Sequence, residues 1–162
     1  MKKHLMLALI AMLALAFASC SKQNTSSHPQ TPKAVVAALL KQVQLMKAVS
    51  KQAKKEGPDS QAAEKLAASK TSLKSLFLNP DKARLIMMPL LMIKSENVDF
   101  IAEKISGENA DVTIEHTITG FGILTKPEGA PPERRQVTFQ LQKEGGRWMV
   151  SDIGGVLAGY GR

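Results

Sequence analysis

The residue pair with the clearest capacity for acid–base chemistry is His116 with Asp99. His116 stands in an alternating run, Val112, Ile114, His116 and Ile118 against Thr113, Glu115 and Thr117, which is the period of a strand with one wet face. Gly107 and Glu108 fit the two central positions of a tight hairpin turn. Counting outward from Ser106 and Asn109 then places Asp99 directly opposite His116. On the apolar face of a strand, desolvation lowers an imidazole pKa and a neighbouring carboxylate raises it. Such a pair orients a general base, or it is a structural histidine hydrogen-bonded to an aspartate; a slip of one residue in register separates the two groups. A second cluster, Met87, Met88 and Met92 around Pro89, suits a plastic apolar pocket, because thioethers adapt to irregular ligands; the same residues also serve as core filling. Asp152 is a weaker candidate, since its register depends on whether Glu144 belongs to the second turn.

Other chemistries are excluded by what is missing from the sequence. Gly120-Phe121-Gly122 begins like a dinucleotide fingerprint, but Thr125 stands where the third glycine belongs and a proline-rich stretch follows instead of a helix. No Gly-x-Ser-x-Gly elbow, phosphate-binding loop or histidine pair at metal spacing occurs. The expectation is a chain with no metal and no cofactor.

These side chains need elements to hold them. Thr31-Pro32 is a helix start, and Val35, Val36, Leu39, Leu40, Val43, Met46 and Val49 then recur at three- and four-residue spacing until Gly57-Pro58. Asp59 or Ser60 caps a second helix whose apolar side includes Ala63, Leu66, Leu73, Leu76 and Phe77. Asn79-Pro80-Asp81 starts a third, kept short by Pro89, which lacks the amide donor of a helix interior. After Ser95 the period becomes two. Hairpins are expected over 98–106 with 109–119 and over 134–143 with 147–153, turned by Gly107-Glu108 and Gly145-Gly146, with a loop over 120–133 between them. Helices first and antiparallel strands after make an α+β domain with the helices on one face of the sheet.

The N-terminal stretch reads differently. Lys2 and Lys3 precede an unbroken apolar run from Leu5 to Phe17, thirteen residues, then Ala18, Ser19 and Cys20. Crossing a hydrocarbon core takes about 20 helical residues, so this is an export signal and not a span. Phe17-Ala18-Ser19-Cys20 resembles the lipobox of bacterial lipoproteins, whose cysteine is acylated and becomes the new N-terminus. That resemblance implies a signal peptide over 1–19, a lipidated flexible tether over 20–31, a single domain over 32–155 and a C-terminal tail over 156–162. Ser21 rather than aspartate after the cysteine resembles the Gram-negative sorting pattern for the outer membrane, with the domain facing the periplasm. The membrane is then a partner through the anchor at Cys20.

Three further stretches carry a family likeness: Thr31-Pro32-Lys33-Ala34-Val35-Val36, the turn from Ile105 to Val112, and Leu141 to Val150. Together with the element order they resemble small bacterial lipoproteins of unknown function whose domain is the cystatin-like cone of the nuclear transport factor two superfamily. The resemblance implies N-terminal helices packed on a curved antiparallel sheet. It implies no activity, because that fold hosts isomerases, hydrolases, binding modules and adaptors alike.

Charge and composition narrow the partners. The chain has 162 residues and a formal net charge of +8. Residues 32–94 hold twelve basic and four acidic side chains while residues 95–162 hold seven and ten, so the positive charge is helical. Lys33, Lys41, Lys51, Lys54, Lys55, Lys65, Lys70 and Lys74 form a solvated face, or a surface for anionic lipid beside the anchor. Aromatic residues make up 4%, too few to stack the bases of single-stranded nucleic acid, so no nucleic acid is expected. Three readings follow. One is an envelope binding or adaptor module, for a small apolar ligand in the cone or an envelope protein on the outer sheet face. Another is a small isomerase- or hydrolase-type enzyme using His116 and Asp99. A third is a structural lipoprotein with its basic helices on lipid.

Overall fold

The computed structural model describes residues 28–122, 124–125 and 129–154. The expected signal segment, Cys20, the tether up to residue 27 and the tail over 156–162 lie outside the described residues. Three helices come first: α1 (Pro32–Glu56), α2 (Gln61–Lys74) and α3 (Ala83–Met92). The strands are β1 (Ile93–Ser106), β2 (Asn109–Phe121), the two-residue β3 (Leu124–Thr125), β4 (Glu133–Glu144) and β5 (Arg147–Gly154). They form an antiparallel sheet in the order β1-β2-β4-β5, with β3 paired to the end of β2. The α+β class read from the sequence is what the chain adopts.

Helices α1 and α2 begin where their capping chemistry lies, whereas α3 starts after Lys82 with no side-chain cap. Thr31 Oγ1 accepts from the Ala34 amide at 3.2 Å with Pro32 in the first turn, and Ser60 does the same for Ala63. Gly57 closes α1 at φ 97°, a conformation that side chains other than glycine's rarely adopt. Asn79 Oδ1 accepts from the amides of Asp81 and Lys82, holding the turn that leads into α3. Helix α3 is short, as Pro89 requires, yet it runs past the proline to Met92. A proline at 89 deprives the Leu85 carbonyl of its helical donor.

The core lies between α1 and the inner face of the sheet. Val35, Val36, Leu39 and Val43 meet Val112, Ile114, Val137, Phe139, Leu141 and Val150 in one buried cluster. The alternations in β2 and β4 put their apolar sets inward, as their period demands. Gly145 and Gly146, at φ 54° and 80°, make the two-residue turn that joins β4 to β5, and Glu144 pairs with Arg147. Beyond α2 the chain runs alongside the edge of β5: the Val150 amide donates to Leu76 O at 2.8 Å and the Leu78 amide to Val150 O at 2.9 Å. Phe77, between them, is fully buried. This segment satisfies backbone groups that an open edge strand would leave for another chain.

Strand β1 is the irregular one. Its register with β2 breaks between Lys94 and Ser95, between Glu96 and Asp99, and between Phe100 and Ala102. Asn97 lies at φ 49°, in the left-handed region, within the second break. Bulges of this kind bend a strand and re-aim its side chains, and these three decide what surrounds His116.

Candidate functional site

From the turn to Ala102, which faces Thr113, β1 keeps the register counted from Ser106 and Asn109. Ile101 is then the extra residue, Phe100 faces Ile114, and Asp99 faces Glu115. Asp99 is therefore not opposite His116. Cross-strand partners share a face, so Asp99 shares the outer face with Glu115, is solvent-exposed, and leaves the imidazole on the inner side. The next break sets Asn97 and Val98 together against His116, because Glu96 faces Thr117 and Asp99 faces Glu115. On its other side His116 pairs with Arg135 of β4.

His116 is 3% exposed, and its Nε2 is buried without a hydrogen-bond partner among the described residues. Burial lowers its pKa, and the positive charges of Arg135 and Lys47 lower it further. The ring is neutral at physiological pH, so one nitrogen donates and the other accepts. Its charged neighbours are cationic, the reverse of the carboxylate that a catalytic base uses as an orienting group.

His116 forms part of the lining of a cleft of about 690 Å³ between the C-terminal half of α1, the junction of α3 with β1, and the end of β2. One wall is apolar, with Leu40 and Val43 from α1, Leu90, Leu91 and Met92 from α3, and Ile93 and Val98 from β1. The rim is basic: Lys47, Lys51 and Lys54 follow one another along one face of α1, and Lys94 joins them from β1. Glu96 is the carboxylate of the lining. Lys47 is committed inward, donating to Ile93 O at 2.5 Å, and burial lowers its pKa. That bond ties α1 to the start of β1.

The three methionines part company. Met87 is 1% exposed and belongs to the core, Met88 is 44% exposed on α3, and Met92 is both 40% exposed and part of the cleft wall. The expected pocket therefore retains His116 and Met92, while Met87, Met88 and Asp99 stand outside its lining. Asp152 faces Gln140, and its carboxylate accepts from the Ile153 amide at 2.7 Å. His28, read as part of the tether, lies against the domain with its Nε2 2.7 Å from Trp148 O. Among the described residues no group of three or more His, Cys, Asp or Glu is placed to hold a metal ion. No helix among them is long and apolar enough to cross a membrane.

Lys47, Lys94, Val98 and Leu40 were not singled out as site residues from the sequence. Lys47 carried a usable signal. It follows Val43 by four residues and Leu40 by seven, so it continues an apolar stripe with a cation instead of sitting on the wet face.

Comparison with protein-family models and with curated protein sequences finds no match. Among solved structures, the chain is similar to a SEC-C motif-containing protein from Rhodopseudomonas palustris known from a solution structure. Identity is 15% and the TM-score 0.32, over 59% of this chain and 77% of that one.

Proposed function

We propose that this protein is an exported, lipid-anchored envelope protein whose domain, a cystatin-like cone, works as a binding module for a small, largely apolar molecule. The observation that carries the reading is the cleft of about 690 Å³ with an unpartnered buried imidazole in its lining. Its volume lies within the range of about 300–1,000 Å³ that ligand sites occupy, and an apolar wall from α1, α3 and β1 stands in it beside polar and charged groups that can orient a ligand. The isomerase- or hydrolase-type alternative drew on Asp99 beside His116, and the register of β1 takes that carboxylate to the other face. Binding is therefore the reading carried forward, with the membrane reached through acyl chains on Cys20.

Two measurements test it. Native mass spectrometry of the full chain carrying Cys20→Ser, purified from envelope-expressing cells, is expected to show a retained small molecule that gentle activation removes. A chain of bare polypeptide mass that also fails to bind apolar fluorescent probes would refute the binding role. For the anchor, intact-mass analysis of membrane-associated protein should show acyl mass at Cys20, lost along with membrane association in Cys20→Ser. An unmodified thiol in the wild-type protein would refute the anchor.

A further inference from the structure

Resting on the binding role just proposed, we infer that the occupant of the cleft is an anionic amphiphile, a single acyl chain carrying a carboxylate or phosphate head. Three features of the site converge on that class. The first is the order of side chains along α1: Leu40 and Val43 line the cleft toward the core, and Lys51 and Lys54 line it about two and three turns beyond Val43. A molecule lying along this face meets hydrocarbon first and ammonium groups after.

The second is charge. Lys47 is engaged with Ile93 O, whereas Lys51, Lys54 and Lys94 line the cleft with Glu96 as the opposing carboxylate, a local excess of cations. An uncharged apolar ligand leaves these cations unused, and a cationic one is repelled. Ammonium groups at the edge of a low-dielectric wall suit an acid whose chain lies against that wall.

The third lies outside the cleft. Leu85, Met88 and Met92 recur at three- and four-residue spacing on α3, are 77%, 44% and 40% exposed, and end in the cleft wall at Met92. Exposed apolar stripes of this kind mark contact with another apolar surface. Here the stripe forms an apolar approach to the opening for an acyl chain leaving a bilayer or micelle.

The test uses the full chain carrying Cys20→Ser and a dansyl-labelled undecanoate, whose fluorescence rises in an apolar site. Palmitate, lysophosphatidylglycerol, zwitterionic lysophosphatidylcholine and uncharged dodecanol are the competitors. Either anionic competitor is expected to displace the probe at least about tenfold more effectively than dodecanol, a difference of about 1.4 kcal/mol. Displacement by palmitate alone or by lysophosphatidylglycerol alone upholds the inference and assigns the head group to carboxylate or phosphate. The triple variant Lys51→Gln, Lys54→Gln, Lys94→Gln should weaken palmitate by about tenfold and leave dodecanol within about twofold. A control with equal charge loss on α2, Lys65→Gln with Lys70→Gln and Lys74→Gln, should leave both within about twofold. Both anionic competitors being no more potent than dodecanol, or equal loss in the two sets of lysine variants, overturns the inference while the binding role stands. If neither the probe nor dodecanol binds, the binding role itself falls.

Discussion

Replacing His116 by leucine should make the fold more stable, and the structure gives the size of the effect. His116 is 3% exposed with Nε2 lacking a partner, and a buried, unsatisfied polar group costs about 1–3 kcal/mol. Leucine removes that group. Its different shape gives back up to about 1 kcal/mol in imperfect packing against Val98 and the cleft wall. The net expectation is a gain of about 1 kcal/mol, or about 4 °C in Tm for a domain of this size. The effect also has a pH signature. In the unfolded chain the imidazole titrates near its ordinary value of about 6.5, and in the folded chain lower, because of burial and then of Arg135 and Lys47. Between those two values the unfolded chain holds the extra proton. The wild-type fold therefore has its full stability above about pH 6.5 and loses it as pH falls through the folded pKa. The leucine variant lacks this loss, so its advantage should widen from about pH 7.5 to about pH 5. Urea unfolding at several pH values, followed by the fluorescence of Trp148, the single tryptophan and 6% exposed, measures both quantities. A variant less stable than wild type at neutral pH, or an advantage that does not change with pH, would show that the imidazole is well satisfied where it stands and would refute the reasoning.

Two further substitutions probe the fold on the β4–β5 side of the sheet. Phe77→Ala empties a fully buried site beneath the segment that covers the edge of β5, and should cost about 3–5 kcal/mol in urea unfolding; a loss below about 1 kcal/mol would mean that the segment is not packed there. Gly146→Ala adds a Cβ with open space around it but at φ 80°, so only backbone strain is introduced. The expected cost is about 1–2 kcal/mol, and Gly146→Asn should recover part of it.

Most of the fold was legible because its signals are local. Thr31, Ser60 and Asn79 sit where helices or their lead-in turns need an acceptor, Gly107 and Gly145-Gly146 sit where hairpins need positive φ, and the alternations in β2 and β4 fix their inward faces. The run of α3 past Pro89 was not legible, since it depends on the burial of Met87 and Leu90, a tertiary property. The register of β1 was legible only from the turn to Ala102. Regular pairing beyond that point would have put Ile101 and Asp99 on the inner face. The bulge at Ile101 exchanges them for Phe100 and Val98, turning a carboxylate out of the interior and a phenyl ring inward. The sequence holds the trace of this conflict: Ile101 and Ile105 follow one alternation and Val98 and Phe100 the other, and the bulge packs Val98 and Phe100 against the core while Ile101 and Ile105 stay 46% and 55% exposed.

The same bulges explain why the candidate site is more basic and less catalytic than the sequence suggested. A second break, at Asn97 and Val98, puts two residues of β1 against His116 and bends the strand beside the cleft, which Ser95, Glu96 and Val98 line. Along α1 the residues that line the cleft change from Leu40 and Val43 to Lys47, Lys51 and Lys54. On a helix read alone, lysines after an apolar stripe mark the end of packing. Here they line a cleft, and the imidazole that regular pairing would have matched with a carboxylate is left among cations. The bulges thus remove the groundwork for general-base chemistry and assemble an apolar cleft with a cationic rim, which is why the lysines, rather than the histidine, are the residues whose replacement should decide what the cleft accepts.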